Sequence, residues 1–183
     1  MPKVYAFAAN GTEEIELLAV VDILRRAEIE TVITSIDGAR VSGSHGIMIT
    51  ADAVTEDCDF SDADTLFLPG GMPGSVRLSE CDTLSKAVER QLALGKRVAA
   101  ICAAPALCLG NKGLLRGKKA ICNPDFEKYM TGVELVRGAH VVTDGNVTTA
   151  PGMGCSVELG LELVRVLCGE ERMRAVRKKL VID

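Results

Sequence analysis

Short runs of apolar, β-compatible residues alternate along this chain with longer stretches in which apolar residues recur every three or four positions. The short runs at 3–8, 30–36, 65–68, 97–101 and 119–122 predict strands. Helical spacing predicts helices over 13–27, over 83–94, after Pro105 and over 153–168, with a basic terminal helix beginning near Glu170. Thr12 is the expected N-cap of the first helix, with Glu13 and Glu14 complementing its dipole. Residues 41–50 read as a small hairpin around the 43–46 turn, and a second hairpin crosses Asp144-Gly145-Asn146. Strands alternating with helices predict an α/β fold, a doubly wound, mostly parallel sheet with helices on both faces. No repeat, linker or low-complexity tract interrupts the pattern, so residues 1–183 read as one domain. Ligands of such sheets bind beyond the carboxyl ends of the strands. Three predicted strand ends carry informative residues: Ala9-Asn10-Gly11, Pro69-Gly70-Gly71 and Cys102.

The strand ending at Ile101 leads directly into Cys102, then into small residues, Pro105 and a helix-forming run. Strand, sharp turn and helix are the layout of a nucleophile elbow. Pro105 suits a first helical turn, where its missing N–H costs nothing. A helix N-terminus aimed at Cys102 favours the thiolate and predicts a lowered thiol pKa. The same pattern also fits a structural cysteine buried at a strand end.

Projecting residues 13–26 at about 100° per residue sets Leu17, Ala19, Val20, Ile23 and Leu24 on one stripe, with Glu16 in its middle. A carboxyl on the core face is costly unless neutral or well paired, and burial raises its pKa. Ile15 and Leu18 fall on the opposite side among Asp22, Arg25 and Arg26, which marks that face as a candidate dimer contact. Gly70-Gly71 lets the backbone turn its N–H groups toward a developing oxyanion.

Composition narrows the field. A formal net charge of −4 and 3% aromatic residues argue against nucleic-acid binding by bulk electrostatics or base stacking. Charges interrupt every apolar run before it reaches a membrane span, and the N-terminus has no signal-peptide architecture, so the cytoplasm is the expected compartment. The seven cysteines form no Cys-x-x-Cys pair, and His45 and His140 are the only histidines, so neither a structural metal nor a disulfide framework is expected.

With these pieces in place the chain resembles the ThiJ/PfpI superfamily, and within it the branch named after the Parkinson-disease-associated protein. The matching segments are Gly-Thr-Glu-Glu-Ile-Glu at 11–16, Asp-Ile-Leu-Arg-Arg-Ala at 22–27 and Leu-Phe-Leu-Pro-Gly-Gly at 66–71. They continue with Ala-Ala-Ile-Cys-Ala-Ala-Pro at 99–105 and Thr-Ala-Pro-Gly at 149–152. The resemblance implies a flavodoxin-like fold and a homodimer, and brings no cofactor. It carries a reactive cysteine onto Cys102, a buried glutamate onto Glu16, a backbone site onto Gly70 and Gly71, and pocket positions onto Ala103 and Pro151. His45 lies in a segment resembling one that approaches the pocket.

Two departures bear on activity. The peptidase branch has a His after the cysteine; this chain has Ala103, which disfavours a Cys–His peptidase. Close relatives of the Parkinson-disease protein have a His before the Pro of the turn at 122–124; this chain has Asn123, which hydrogen-bonds but shuttles no proton near neutral pH. An amidotransferase needs a later His-x-Glu pair, which His140-Val141-Val142 does not supply. The leading expectation is a glyoxalase- or deglycase-like enzyme acting on small reactive carbonyls through Cys102 and Glu16. The rival is a redox-responsive stress protein or chaperone with Cys102 as its oxidation sensor.

Overall fold

The structure is a computed structural model and describes residues 1–182. Its centre is a seven-stranded sheet. Strands β1 (Lys3–Ala8), β2 (Glu30–Ser35), β5 (Ala53–Val54), β6 (Thr65–Leu68), β7 (Arg97–Ile101), β10 (Val142–Asp144) and β11 (Val147–Ala150) lie in the order β10-β11-β7-β6-β1-β2-β5. Only the β10–β11 hairpin at one edge is antiparallel. Strands β3 (Arg40–Ser42) and β4 (Met48–Thr50) form the expected small hairpin, and β8 (Lys119–Ala120) pairs with β9 (Glu134–Leu135).

Alternation along the strands builds two cores. Val4, Ala6 and Ala8 of β1, with Ala99 and Ile101 of β7, face helices α1 (Glu14–Arg26), α4 (Ser156–Cys168) and α5 (Glu170–Lys179). Tyr5, Phe7, Val98 and Ala100 face the other way, toward α2 (Gly74–Glu80), α3 (Asp82–Ala93) and a short helix over Pro105–Gly110. Both faces of the parallel strands are therefore covered, as the flavodoxin-like reading requires.

Local differences from the sequence reading have physical causes. The run at 119–122 pairs over only two residues, because the chain then turns so that Asn123 N–H reaches Cys102 O at 2.8 Å. The run after Pro105 is π-helical: Asn111 N–H reaches back five residues to Ala106 O at 2.8 Å. Residues 153–155 form a 3₁₀ turn ahead of α4. Helix α2 was not anticipated. Cys168 is half-exposed at the end of α4.

Candidate active site

The first turn of α1 builds one wall. Thr12 does not cap it, because its hydroxyl accepts from Ala9 N–H at 2.9 Å. Glu13 caps instead, its carboxylate accepting from Glu16 N–H at 2.7 Å. The loop after β6 is tied to this turn twice. Gly70 O accepts from Glu13 N–H at 3.0 Å, and Gly70 N–H donates to Glu16 Oε2 at 2.8 Å. A Cβ on Gly70 would stand 2.4 Å from Glu16 Oε2 and 2.5 Å from Cys102 Cβ, so only glycine fits between them. Gly71 has φ +92°, and a Cβ there would meet Glu13 N at 2.2 Å.

Cys102 follows β7 with φ +63°, a left-handed conformation that a non-glycine residue adopts only when its surroundings hold it. Those surroundings are Ala150 O, which accepts from Cys102 N–H at 2.9 Å, and Asn123 N–H, which donates to Cys102 O. The expected strained elbow is therefore present in the backbone. Asn123 also points its side-chain amide at the thiol, with Nδ2 3.8 Å from Cys102 Sγ. Its Oδ1 accepts from Asp125 N–H at 3.1 Å, which fixes the amide so that N and not O faces the sulfur.

Electrostatics here differ from the sequence expectation in one respect. Burial pushes Glu16 up to about 7, against the opposing hydrogen bonds from Cys102 and Gly70, and Glu13 adds to the rise. The thiol was expected to be acidified. Instead burial, together with the Glu16 charge and hydrogen bond, pushes Cys102 up to about 12, outweighing the N–H groups of Gly71 and Ala103 that favour its thiolate.

The predicted residues divide accordingly. Cys102, Glu16, Gly70, Gly71, Ala103 and Asn123 come together. Gly70 N–H does not face an open oxyanion position, because Glu16 already accepts it. Pro151 lies on a neighbouring cleft with Cys122 and Pro124. His45 is not held at the thiol. Its ring is exposed on the β3–β4 hairpin, with Nδ1 3.0 Å from Ser44 Oγ and 3.2 Å from Glu14 Oε2. Glu13, Glu14 and His45 bring ligand-type atoms within 4.8 Å of one another, but Glu14 already accepts from His45 N–H, Ile47 N–H and Ser44 Oγ. That cluster is a folding contact between hairpin and helix. Sequence reasoning missed the buried anchoring of Glu14, whose carboxylate takes its side-chain hydrogen-bond partners from the hairpin.

A flavodoxin-like sandwich with a left-handed cysteine at a strand end, paired to a buried glutamate, defines the class. The chain belongs to the DJ-1/PfpI family, whose profile matches residues 2–166. Protein DJ-1 homolog B of Arabidopsis thaliana is 38% identical over 181 residues, 98% of this chain and 41% of that protein. The chain thus spans less than half the length of that plant relative. Glutathione-independent glyoxalase DJR-1.2 of Caenorhabditis elegans is 28% identical over 94% of this chain and 92% of its own. The solved structure of oxidized Toxoplasma gondii DJ-1 superposes with a TM-score of 0.95 at 32% identity, covering 100% of this chain and 99% of its own. No helix among the described residues is long and apolar enough to cross a membrane.

Proposed function

We propose that this chain is a cysteine-dependent enzyme converting small α-oxoaldehydes such as methylglyoxal into 2-hydroxy acids. The observation that carries the reading is the Glu16–Cys102 pair: a carboxyl poised near neutral pH in hydrogen-bond contact with a high-pKa thiol on a strained elbow. A thiol of this kind needs a base rather than a standing negative charge, and a carboxylate titrating near 7 is matched to that task. The name of the nematode relative supports the same substrate class.

Glu16, ionised above about pH 7, takes the thiol proton as Sγ adds to the aldehyde carbon and the carbonyl electron pair moves onto oxygen. The alkoxide regains that proton, giving a hemithioacetal. Glu16 then removes the proton from the former aldehyde carbon as the adjacent carbonyl takes up the electron pair to give an enediolate; it returns that proton to the adjacent carbon, while the hydroxyl proton on the first carbon's oxygen passes to the second carbon's oxygen as the thioester carbonyl forms. The product is the 2-hydroxy thioester, an isomer of the hemithioacetal. Water cleaves it to the hydroxy acid and restores the thiol. Asn123 Nδ2 and the N–H groups of Gly71 and Ala103 are the donors around the sulfur and stabilise negative charge there. Asn123 moves no proton, so every transfer falls on Glu16.

The test is lactate formation from methylglyoxal by the purified protein, beside Cys102→Ala and Glu16→Gln. Turnover in the parent that is lost in both variants supports the enzyme. No turnover in the parent, with a peroxide-induced mass gain confined to Cys102, moves the assignment to the redox-responsive protein.

We also propose a homodimer. Ile15 and Leu18 of α1 are exposed, as are Ile47 and Met48 of the hairpin that Glu14 ties to α1. Together they make an apolar face of the kind that two copies cover. Ile15→Lys with Leu18→Lys is expected to give a monomer in sedimentation analysis.

A further inference from the structure

A cleft of about 240 Å³ lies at the opposite end of the sheet from the thiol. Its walls are the loop that leads into β6 and the C-terminal part of α3. Both segments feed the amino ends of strands, β6 at Thr65 and β7 at Arg97, whereas Cys102 stands beyond the carboxyl end of β7. The length of β7, roughly 16 Å, separates the two. Phe60 is the aromatic wall of the cleft; its half-buried ring also packs on Tyr5 and Phe7, with centroids at 5.0 and 5.2 Å. Ala87 and Leu94 add aliphatic surface, and Leu94 is 61% exposed.

The charges on these walls are uncommitted. Lys86 and Arg90 stand one turn apart on α3, a spacing at which like charges repel. Neither has a hydrogen bond or ion pair among the described residues. By contrast, Arg25, Arg77, Arg137, Arg165 and Arg172 all hold carboxylates. Asp59 is the cleft's own carboxylate, and Ser61 occupies both its oxygens, with N–H on Oδ1 at 2.9 Å and the hydroxyl on Oδ2 at 2.8 Å. Arg90 acts on Asp59 only through space. Two cations against one carboxylate leave the walls with a surplus positive charge beside an aromatic ring and an uncovered leucine.

From this we propose that the cleft is a binding site for small aryl carboxylates, the carboxylate held by Arg90 and Lys86 and the ring laid against Phe60, Ala87 and Leu94. The Arg90 fork donates to both oxygens of one carboxylate, and Lys86 adds a point charge. The volume falls just below the usual range of ligand clefts, roughly 300–1,000 Å³, so it takes one ring and not a nucleotide. Binding here uses nothing of Cys102 and stands whether or not the protein turns over methylglyoxal.

The test is a fluorine NMR titration of the full chain with 4-(trifluoromethyl)benzoate, beside its neutral carboxamide. We expect a Kd on the order of 0.1–1 mM for the carboxylate and at least about tenfold weaker binding of the amide. Acetate, which has the charge without the ring, should not displace the benzoate at equal concentration. Arg90→Gln should weaken binding at least about tenfold and Leu94→Ser about threefold. Both positions are exposed, so the variants keep the fold. Arg174→Gln removes the same charge from α5 and should leave the Kd unchanged, as should Cys102→Ala. No saturable binding below about 10 mM overturns the site. Equal binding of the amide, displacement by acetate, or an equal loss in Arg174→Gln overturns it too, because charge and ring would then not act together in this cleft. Loss in Cys102→Ala would move the molecule to the thiol site and overturn it as well.

Discussion

Glu14 and Glu16 are two residues apart on the first turn of one helix, and both are almost fully buried, at 3% and 1% exposure. Their acidities move in opposite directions. Burial pushes Glu14 up, but N–H donors from its own backbone, His45 and Ile47, with the His45 side chain, win and hold it down to about 2. Burial also pushes Glu16 up; it meets one backbone donor, Gly70, and a thiol, and ends at about 7. The number of donors facing each oxygen therefore decides whether a buried carboxylate is an anchor or a base. The hairpin spends its N–H groups on Glu14, while the Gly70 loop gives Glu16 a single one.

The largest effect that follows is on activity. Glu16→Gln keeps an oxygen for Gly70 N–H but cannot accept a proton, so methylglyoxal turnover should fall by about a hundredfold to ten-thousandfold. Glu14→Gln should leave turnover within a few-fold, provided the variant stays folded. Comparable losses in the two variants would dissolve the distinction between base and anchor.

The second effect is on stability, with opposite signs. Glu14 has a folded pKa below its ordinary 4.5. It stabilises the fold above about pH 4.5, and that contribution is lost as pH falls toward about 2. Glu16 has a folded pKa above 4.5. Between about 4.5 and 7 the folded state holds a proton that the unfolded chain has released, so stability falls as pH rises through this window. Each contribution is on the order of 3 kcal/mol at most. In urea melts at pH 8, Glu14→Gln should destabilise and Glu16→Gln should stabilise, and the Glu16→Gln gain should vanish by pH 4.

How far these roles could be read in advance follows the same line. The strands at 65–68 and 97–101 were legible because a strand buried on both faces is a continuous apolar run, and both kept their predicted bounds. Glu16 was legible because a carboxylate broke the apolar stripe of its own helix. Glu14 was not, because nothing local buries it; the hairpin thirty residues on does so. The N-cap was misassigned since Thr12 is spent on Ala9 N–H, a contact set by the strand end. Helix α2, with the sequence GSVRLSE, carries little apolar periodicity and is stabilised by its neighbours. The Gly-Gly pair signalled a tight backbone, but not which N–H would face Glu16.

A third, smaller effect probes that backbone. Gly70→Ala places a methyl group against both Glu16 and Cys102, and overpacking of this kind costs typically 1–3 kcal/mol. Chemical denaturation should register that loss. The Glu16–Cys102 pair should also be pushed apart, so the pH midpoint of Cys102 alkylation should shift relative to the parent. Gly71→Ala strains a positive-φ position and destabilises too, but it does so on the Glu13 side and should leave that midpoint closer to the parent value.

The smallest effect concerns Asn123. Its amide donates to the sulfur at 3.8 Å and holds no titratable proton, so Glu16 alone sets the pH response. The rate of methylglyoxal turnover should rise as a single sigmoid through about pH 7, with no falling limb attributable to a second catalytic group. Asn123→Ala removes one donor over a long contact and should cost about tenfold. Asn123→Asp replaces the donor with a carboxylate beside the thiol, raises the Cys102 pKa further and should cost more than Asn123→Ala. Asn123→His restores a side chain that can donate, and it titrates. If Asn123 acts only as a donor, the histidine variant should recover most of the Asn123→Ala loss and add a second inflection to the profile. A parent profile that is already bell-shaped would instead place another proton donor at the site, and Glu16 would no longer carry every transfer.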